Sequence, residues 1–337
     1  MINSVQAIQP SGVPWTTMDP FIFCVYHHDH YPKANKELGP AASLEGRNLG
    51  NDFFLKDGWR MYHGHKVPGF PVHPHRGFET ITFVLKGFVD HSDSNGAAGR
   101  YGYRDVQRMT AGSGLQHSEM FPLLNEDAEN TLELFQIWLN LPASKKFAEP
   151  CYKMLWDESV PRLQIKDANQ NKTEIDIVAG KIGDSEAPAP APDSWAADSE
   201  NEVAIWHIMM DENAEWEIPA ANKNVNRSLY FFEGDFVFLN DKKTASGNAI
   251  ILNSHDRITI KNTGTKSRFL LLQGKPINEP VMQYGPFVMN TQEEIRQAFA
   301  DYRETEFGGW PWPRRDMVHG KEKKRFARLI SGEEIVK

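Results

Sequence analysis

Two short segments, His73-Pro74-His75 and His117-Ser118-Glu119, place four good metal-binding side chains in two pairs, each spaced i and i+2. In an extended chain, residues two apart point to the same face. The spacing therefore predicts strands, and if the two strands are neighbours in a barrel, the four groups converge on one cavity. Three imidazoles and one carboxylate suit a first-row divalent ion such as iron, manganese, nickel, copper or zinc, and leave positions of an octahedral ion open. One HxH pair among 12 histidines is as easily two surface residues; a second pair is harder to dismiss.

The flanking residues favour the same picture. Thr80-Ile81-Thr82-Phe83-Val84-Leu85 is a β-rich run, and Lys86-Gly87 then allows a bend. Pro74 has no amide hydrogen to give to a ladder, so the HPH segment is expected at a sheet edge or bulge. A rim is where a metal site opens to a ligand. Glu79, four residues past His75, has the same strand parity and competes with Glu119 as the carboxylate, although Gly77 can break that parity.

His73-Pro74-His75-Arg76-Gly77-Phe78-Glu79-Thr80, Asp105-Val106-Gln107, Met109-Thr110-Ala111-Gly112 leading to His117-Ser118-Glu119, and Gly285-Pro286-Phe287-Val288-Met289-Asn290-Thr291 follow one another in an order that resembles the pirin family of the cupin superfamily, from about Met61 to Tyr302. The resemblance implies an all-β bicupin: two packed β-barrels of jelly-roll type with a single metal in the N-terminal one. It places the ligands on His73, His75, His117 and Glu119, which leaves Glu79 to orient a ligand or brace the fold. The implied cofactor is one divalent transition metal, iron(II) first, with manganese, nickel, copper or zinc as alternatives. The implied activity is that of a quercetin 2,3-dioxygenase-like oxidoreductase acting on a flavonol or similar phenol with molecular oxygen and releasing carbon monoxide. There the ion acts as a Lewis acid on the enol and Glu119 takes the proton. Eukaryotic pirins are also described as iron-dependent transcriptional coregulators, and a redox sensor acting through a protein partner uses the same four ligands.

Some positions depart from the family pattern. Tyr103-Arg104 stands where relatives carry Pro-Gly, Arg108 where many have Trp, and Ser113 where Arg is frequent. Tyr-Arg neither fixes φ nor favours a positive φ, so a longer or reshaped hairpin is expected beside the site.

With 337 residues, 40% of them apolar, the chain is long enough for about two domains. The expected division is a metal-binding barrel over 1–165, a connector over 166–201, a metal-free barrel over 202–290, and a short helix with a basic tail over 291–337. Ser185 to Ser194, an alternating Ala-Pro stretch, predicts an exposed linker. Within the first barrel, the strand Leu132–Leu139 turns Gln136 and Trp138 to one face, so that Gln136 can support the site. The cluster His27, His28 and His30 is expected in a loop. In the second barrel, Ser228–Phe232 and Phe236–Leu239 around Gly234 predict a hairpin, and His207 and His255 have no partner pair. Thr291-Gln292-Glu293-Glu294 is a capping box for a helix over Ile295–Tyr302.

A net charge of -8 argues against direct binding to nucleic acid, despite the basic residues between Arg314 and Arg328. Two cysteines, Cys24 and Cys151, form no disulfide framework, and no apolar run spans a bilayer or forms a secretory leader. A cytoplasmic protein without a membrane partner is expected.

Overall fold

A computed structural model of the chain describes residues 4–337. Period-2 burial is clear where a strand has one apolar face: Glu215–Ile218 alternates exposed and buried, with Trp216 and Ile218 inside. The one α-helix among the described residues is Gln292–Thr305, capped by Thr291 and Glu294 in the reciprocal arrangement anticipated from the sequence. No helix among the described residues is long and apolar enough to cross a membrane.

The chain divides into two compact units. The unit that carries both ligand pairs comprises Tyr26–Gln136, Leu141–Asp157 and Glu279–Lys337. Its six-stranded sheet runs, in spatial order, Glu334–Val336, Phe326–Arg328, Ala98–Gly102, Phe88–Asp93, Leu115–Met120 and Gly69–His75. The HPH strand is therefore an edge strand, as Pro74 requires. A five-stranded sheet runs Cys151–Leu155, Val106–Thr110, Phe78–Lys86, Asn130–Asn140 and Phe21–Tyr31. Tyr31, Tyr62, Val84, Tyr101, Phe121 and Leu134 fill the core of this unit.

The other unit comprises the chain up to Val25, Ile137–Asn140 and Glu158–Asn278. A seven-stranded and a four-stranded sheet enclose Trp206, Leu229, Phe231, Ile250, Phe269 and Leu271. The units do not follow the expected boundaries. Val5–Pro10 pairs with Asn248–Asn253, and Phe326–Arg328 pairs with Ala98–Gly102, so each end of the chain adds a strand to a sheet far away in sequence.

Several local expectations are corrected. Asn226–Glu233 and Phe236–Leu239 form strands but not a hairpin, because they lie in different sheets. Gly234, at φ 125°, lets the chain turn between the sheets where a side chain would strike Ser267 Oγ. His27, His28 and His30 belong to the strand Phe21–Tyr31, where burial alternates from His27 onward with His27, Asp29 and Tyr31 inside. The Ala-Pro stretch is not a free linker: Ala187 packs against the core and Ala191 and Ser194 are buried. Tyr103-Arg104 forms a tight turn between sheets and not a hairpin, because Ala98–Gly102 and Val106–Thr110 lie in different sheets. Both residues take positive φ, 50° and 81°, while Asp105 accepts the Gly102 amide at 3.0 Å to close the turn. The basic tail is largely paired, with Arg325 on buried Asp105 (2.6 Å), Lys321 on Glu126 and Arg314 on Asp316.

Candidate metal centre

The strands Gly69–His75 and Leu115–Met120 are antiparallel neighbours, and their register sets His73 directly opposite His117. A bulge between Phe70 and His73 interrupts the pairing just before the first ligand. One member of each i, i+2 pair thus forms the cross-strand couple, while His75 and Glu119 flank it on opposite sides. The ligand nitrogens of His73, His75 and His117 all lie within 4.8 Å of one another.

Hydrogen bonds select the tautomers. His73 donates from Nδ1 to the Pro71 carbonyl (2.9 Å), and His75 donates from Nδ1 to the Pro286 carbonyl (3.4 Å), so both keep an unprotonated Nε2. The Gly285–Thr291 motif therefore acts locally, by bringing a carbonyl to a ligand histidine. Val288 N bonds to the Arg76 carbonyl, and Arg76 in turn pairs with Asp301 of the helix at 2.6 Å. Burial lowers His73 to about 4 and pushes His75 and His117 well below the ordinary imidazole range. All three are neutral at neutral pH, which is the form that binds metal.

The donor set fits a divalent transition ion. His73 Nε2 and His117 Nε2 are 3.1 Å apart, close to the separation of about 3.0 Å expected for two bonds of about 2.1 Å meeting at a right angle. Three neutral nitrogens crowded in a buried site gain little from one another and much from a shared cation. His73 is only half-buried, so the cluster has an open side.

Glu119 stands beside this group and outside its tight convergence, with Oε2 3.8 Å from His117 Nε2. Its oxygens are held by Gln136 Nε2 (2.8 Å), Thr82 Oγ1 (3.0 Å) and Tyr101 OH (3.4 Å). Gln136 therefore touches the carboxylate directly. Burial raises the Glu119 carboxyl above its usual range, while the nearby His91 and these hydrogen bonds pull it down.

Sequence reasoning missed Thr82, Tyr101 and His91. The available signals were a pair of threonines in an apolar strand and one more i, i+2 pair, His91 and Asp93. His91 faces Glu119 across the ladder and accepts the Gln107 amide on Nδ1 (3.1 Å). Its Nε2 donates to Asp93 (3.2 Å), so both nitrogens are engaged.

Glu79 is not among the converging groups. Its carboxylate accepts from Arg108 Nε (3.0 Å) and from Thr110 (3.2 Å), and both partners of the Arg108 pair are fully buried. The arginine that departs from the family pattern is thus the counter-ion of the competing carboxylate. Glu79→Gln is expected to leave metal content unchanged and to cost about 3 kcal/mol of stability, because the buried Arg108 charge loses the carboxylate paired with it. Metal analysis and denaturant titration check both; loss of metal would instead make Glu79 a ligand.

Residues 9–139 match the family model described as pirin, and residues 205–308 match the model described as the pirin C-terminal cupin domain. Pirin-1 of Arabidopsis thaliana is 37% identical over 247 residues, covering 71% of this chain and 78% of that protein. A pirin-like protein of Caulobacter vibrioides is 33% identical over 239 residues, covering 71% and 80%. The crystal structure of a quercetin 2,3-dioxygenase from Acinetobacter baumannii is similar with a TM-score of 0.67 and 26% identity, covering 86% of each chain.

Proposed function

The chain belongs to the pirin family and has its all-β bicupin fold, and from that premise we propose that it is a metal-dependent dioxygenase that opens a flavonol, or a similar enolic phenol, with molecular oxygen. The observation that carries this reading is the meeting of three neutral imidazoles at a half-open rim. The likeness to the Acinetobacter quercetin 2,3-dioxygenase supports the choice of substrate.

In this reading His73, His75, His117 and Glu119 hold one divalent ion, with iron(II) as the first candidate. The bound ion supplies Lewis acidity toward the 3-hydroxyl and 4-carbonyl oxygens of the flavonol. The protein does the rest. The Pro71 and Pro286 carbonyls fix the imidazole tautomers, and Glu119 accepts the proton of the 3-hydroxyl at its carboxylate. Gln136, Thr82 and Tyr101 hold that carboxylate in place, and burial keeps bulk water from competing for it.

The test is anaerobic reconstitution with iron(II), then addition of quercetin and oxygen, with flavonol absorbance and carbon monoxide recorded against a His75→Ala control. Turnover that the control loses is the expected result. One bound metal without turnover would favour the non-enzymatic reading, in which the metal's oxidation state governs a protein partner.

A further inference from the structure

Beside the metal-binding face lies a buried hydrogen-bond network that the proposed chemistry does not use. On the strand Phe21–Tyr31, Tyr26 meets Phe135 and bonds to Glu133, so His27, Asp29 and Tyr31 occupy the opposite face, the one shared with Leu134 and Gln136. Tyr62 donates its hydroxyl to Asp29 Oδ2 at 2.6 Å. The Tyr62 oxygen then accepts from Arg60 Nη1 at 3.1 Å and from His27 Nδ1 at 2.8 Å. Since the tyrosine proton already goes to Asp29, His27 must carry its own proton on Nδ1 and keep a lone pair on Nε2.

No protein group among the described residues donates to that lone pair. Burial, with the Arg60 charge, lowers His27 to about 3, so the ring stays neutral and acts as an acceptor. The geometry is held firmly. Tyr62 sits at φ 57°, an unfavourable region for a tyrosine, and is fixed there by two backbone hydrogen bonds to Asp52.

What joins His27 to the candidate metal centre is one aromatic ring. Phe70 is 6.1 Å from the His27 ring and 6.2 Å from the His73 ring, and it is only half-buried. A flat aromatic ligand placed against Phe70 would reach the ion at one end and His27 at the other.

We propose that His27 is a substrate-binding residue, whose Nε2 accepts a hydrogen bond from a phenolic hydroxyl distant from the oxygens that chelate the metal. The proposal rests on the flavonol reading and narrows it to ligands that are hydroxylated beyond the chelating pair. A site built to bond a hydroxyl discriminates against analogues that lack it.

The experiment is anaerobic titration of the iron(II)-loaded protein with quercetin and with 3-hydroxyflavone, read by quenching of protein fluorescence. The second ligand keeps the chelating oxygens and has no other hydroxyl. Wild type should prefer quercetin by at least about tenfold. His27→Phe should reduce that preference to within about twofold while metal content stays the same. Tyr62→Phe keeps the ring and removes the oxygen that fixes the Nδ1 proton, and should lower the preference to about threefold. An unchanged preference in His27→Phe overturns the proposal; if that variant does not fold, an unchanged preference in Tyr62→Phe does so. Equal binding of both ligands to wild type overturns this assignment alone, whereas binding of neither overturns the flavonol reading and this proposal with it.

Discussion

His117→Ala is expected to lower metal content from about one ion per chain to less than about a tenth, and to reduce flavonol turnover at least about a thousandfold. The size of the effect follows from the position of the residue. His117 stands directly opposite His73 in the ladder, so it closes the cross-strand couple on which His75 depends for a shared ion. No neighbour can replace it. His91 is 5.4 Å away ring to ring, but both of its nitrogens are engaged, by Gln107 and Asp93. Glu119 is tied to Gln136, Thr82 and Tyr101, and Glu79 to Arg108.

The fold should survive the change. His117 Nδ1 is buried without a partner, so truncation removes an unsatisfied atom along with the packing it costs. The net penalty is expected at about 2 kcal/mol. Elemental analysis, with a thermal scan as control for folding, decides the matter; a folded variant with wild-type metal content would remove the proposed site.

The parts of this architecture legible in the sequence are those encoded over a few residues. The i, i+2 spacing of His73 with His75 and of His117 with Glu119 carries strand parity, and Pro74 carries the edge position. Thr291 and Glu294 encode a helix start within one turn. What escaped depends on distant pairing. Nothing local to Val5–Pro10 indicates that it pairs with Asn248–Asn253, since a sheet edge accepts any strand with the right face.

Gly234 looks the same in a hairpin and at a corner between sheets, because the residue permits both turns. His27 was hidden by its neighbours: a His-rich tract resembles a polar loop, and only its alignment with Asp29 and Tyr31 on one face shows the strand. Tyr101 shows no signal of its own, and the threonine pair that includes Thr82 does not say what it faces, since each reaches Glu119 from a different strand.

Glu119→Gln is expected to separate the two roles proposed for that side chain. As a ligand, the carboxylate adds charge to a set of three neutral imidazoles. Its loss should weaken metal binding by about ten- to a hundredfold while leaving a site that still fills when metal is supplied in excess. As the proton acceptor it has no substitute within hydrogen-bond reach. His73 and His75 have engaged Nδ1 and are to hold the ion through Nε2, and Tyr101 and Thr82 are donors here. Turnover at saturating metal should therefore fall about a hundred- to ten-thousandfold, the range that one positioned base contributes.

Gln136→Leu makes the companion test. It keeps the Glu119 charge and removes the 2.8 Å bond to Oε2, so metal should be retained while turnover drops by a smaller factor of about ten. Full turnover by Glu119→Gln at saturating metal would send the proton elsewhere. Unchanged metal affinity in the same variant would reduce the ligand set to the three histidines. The two readouts are independent, so the variant can lose one role and keep the other.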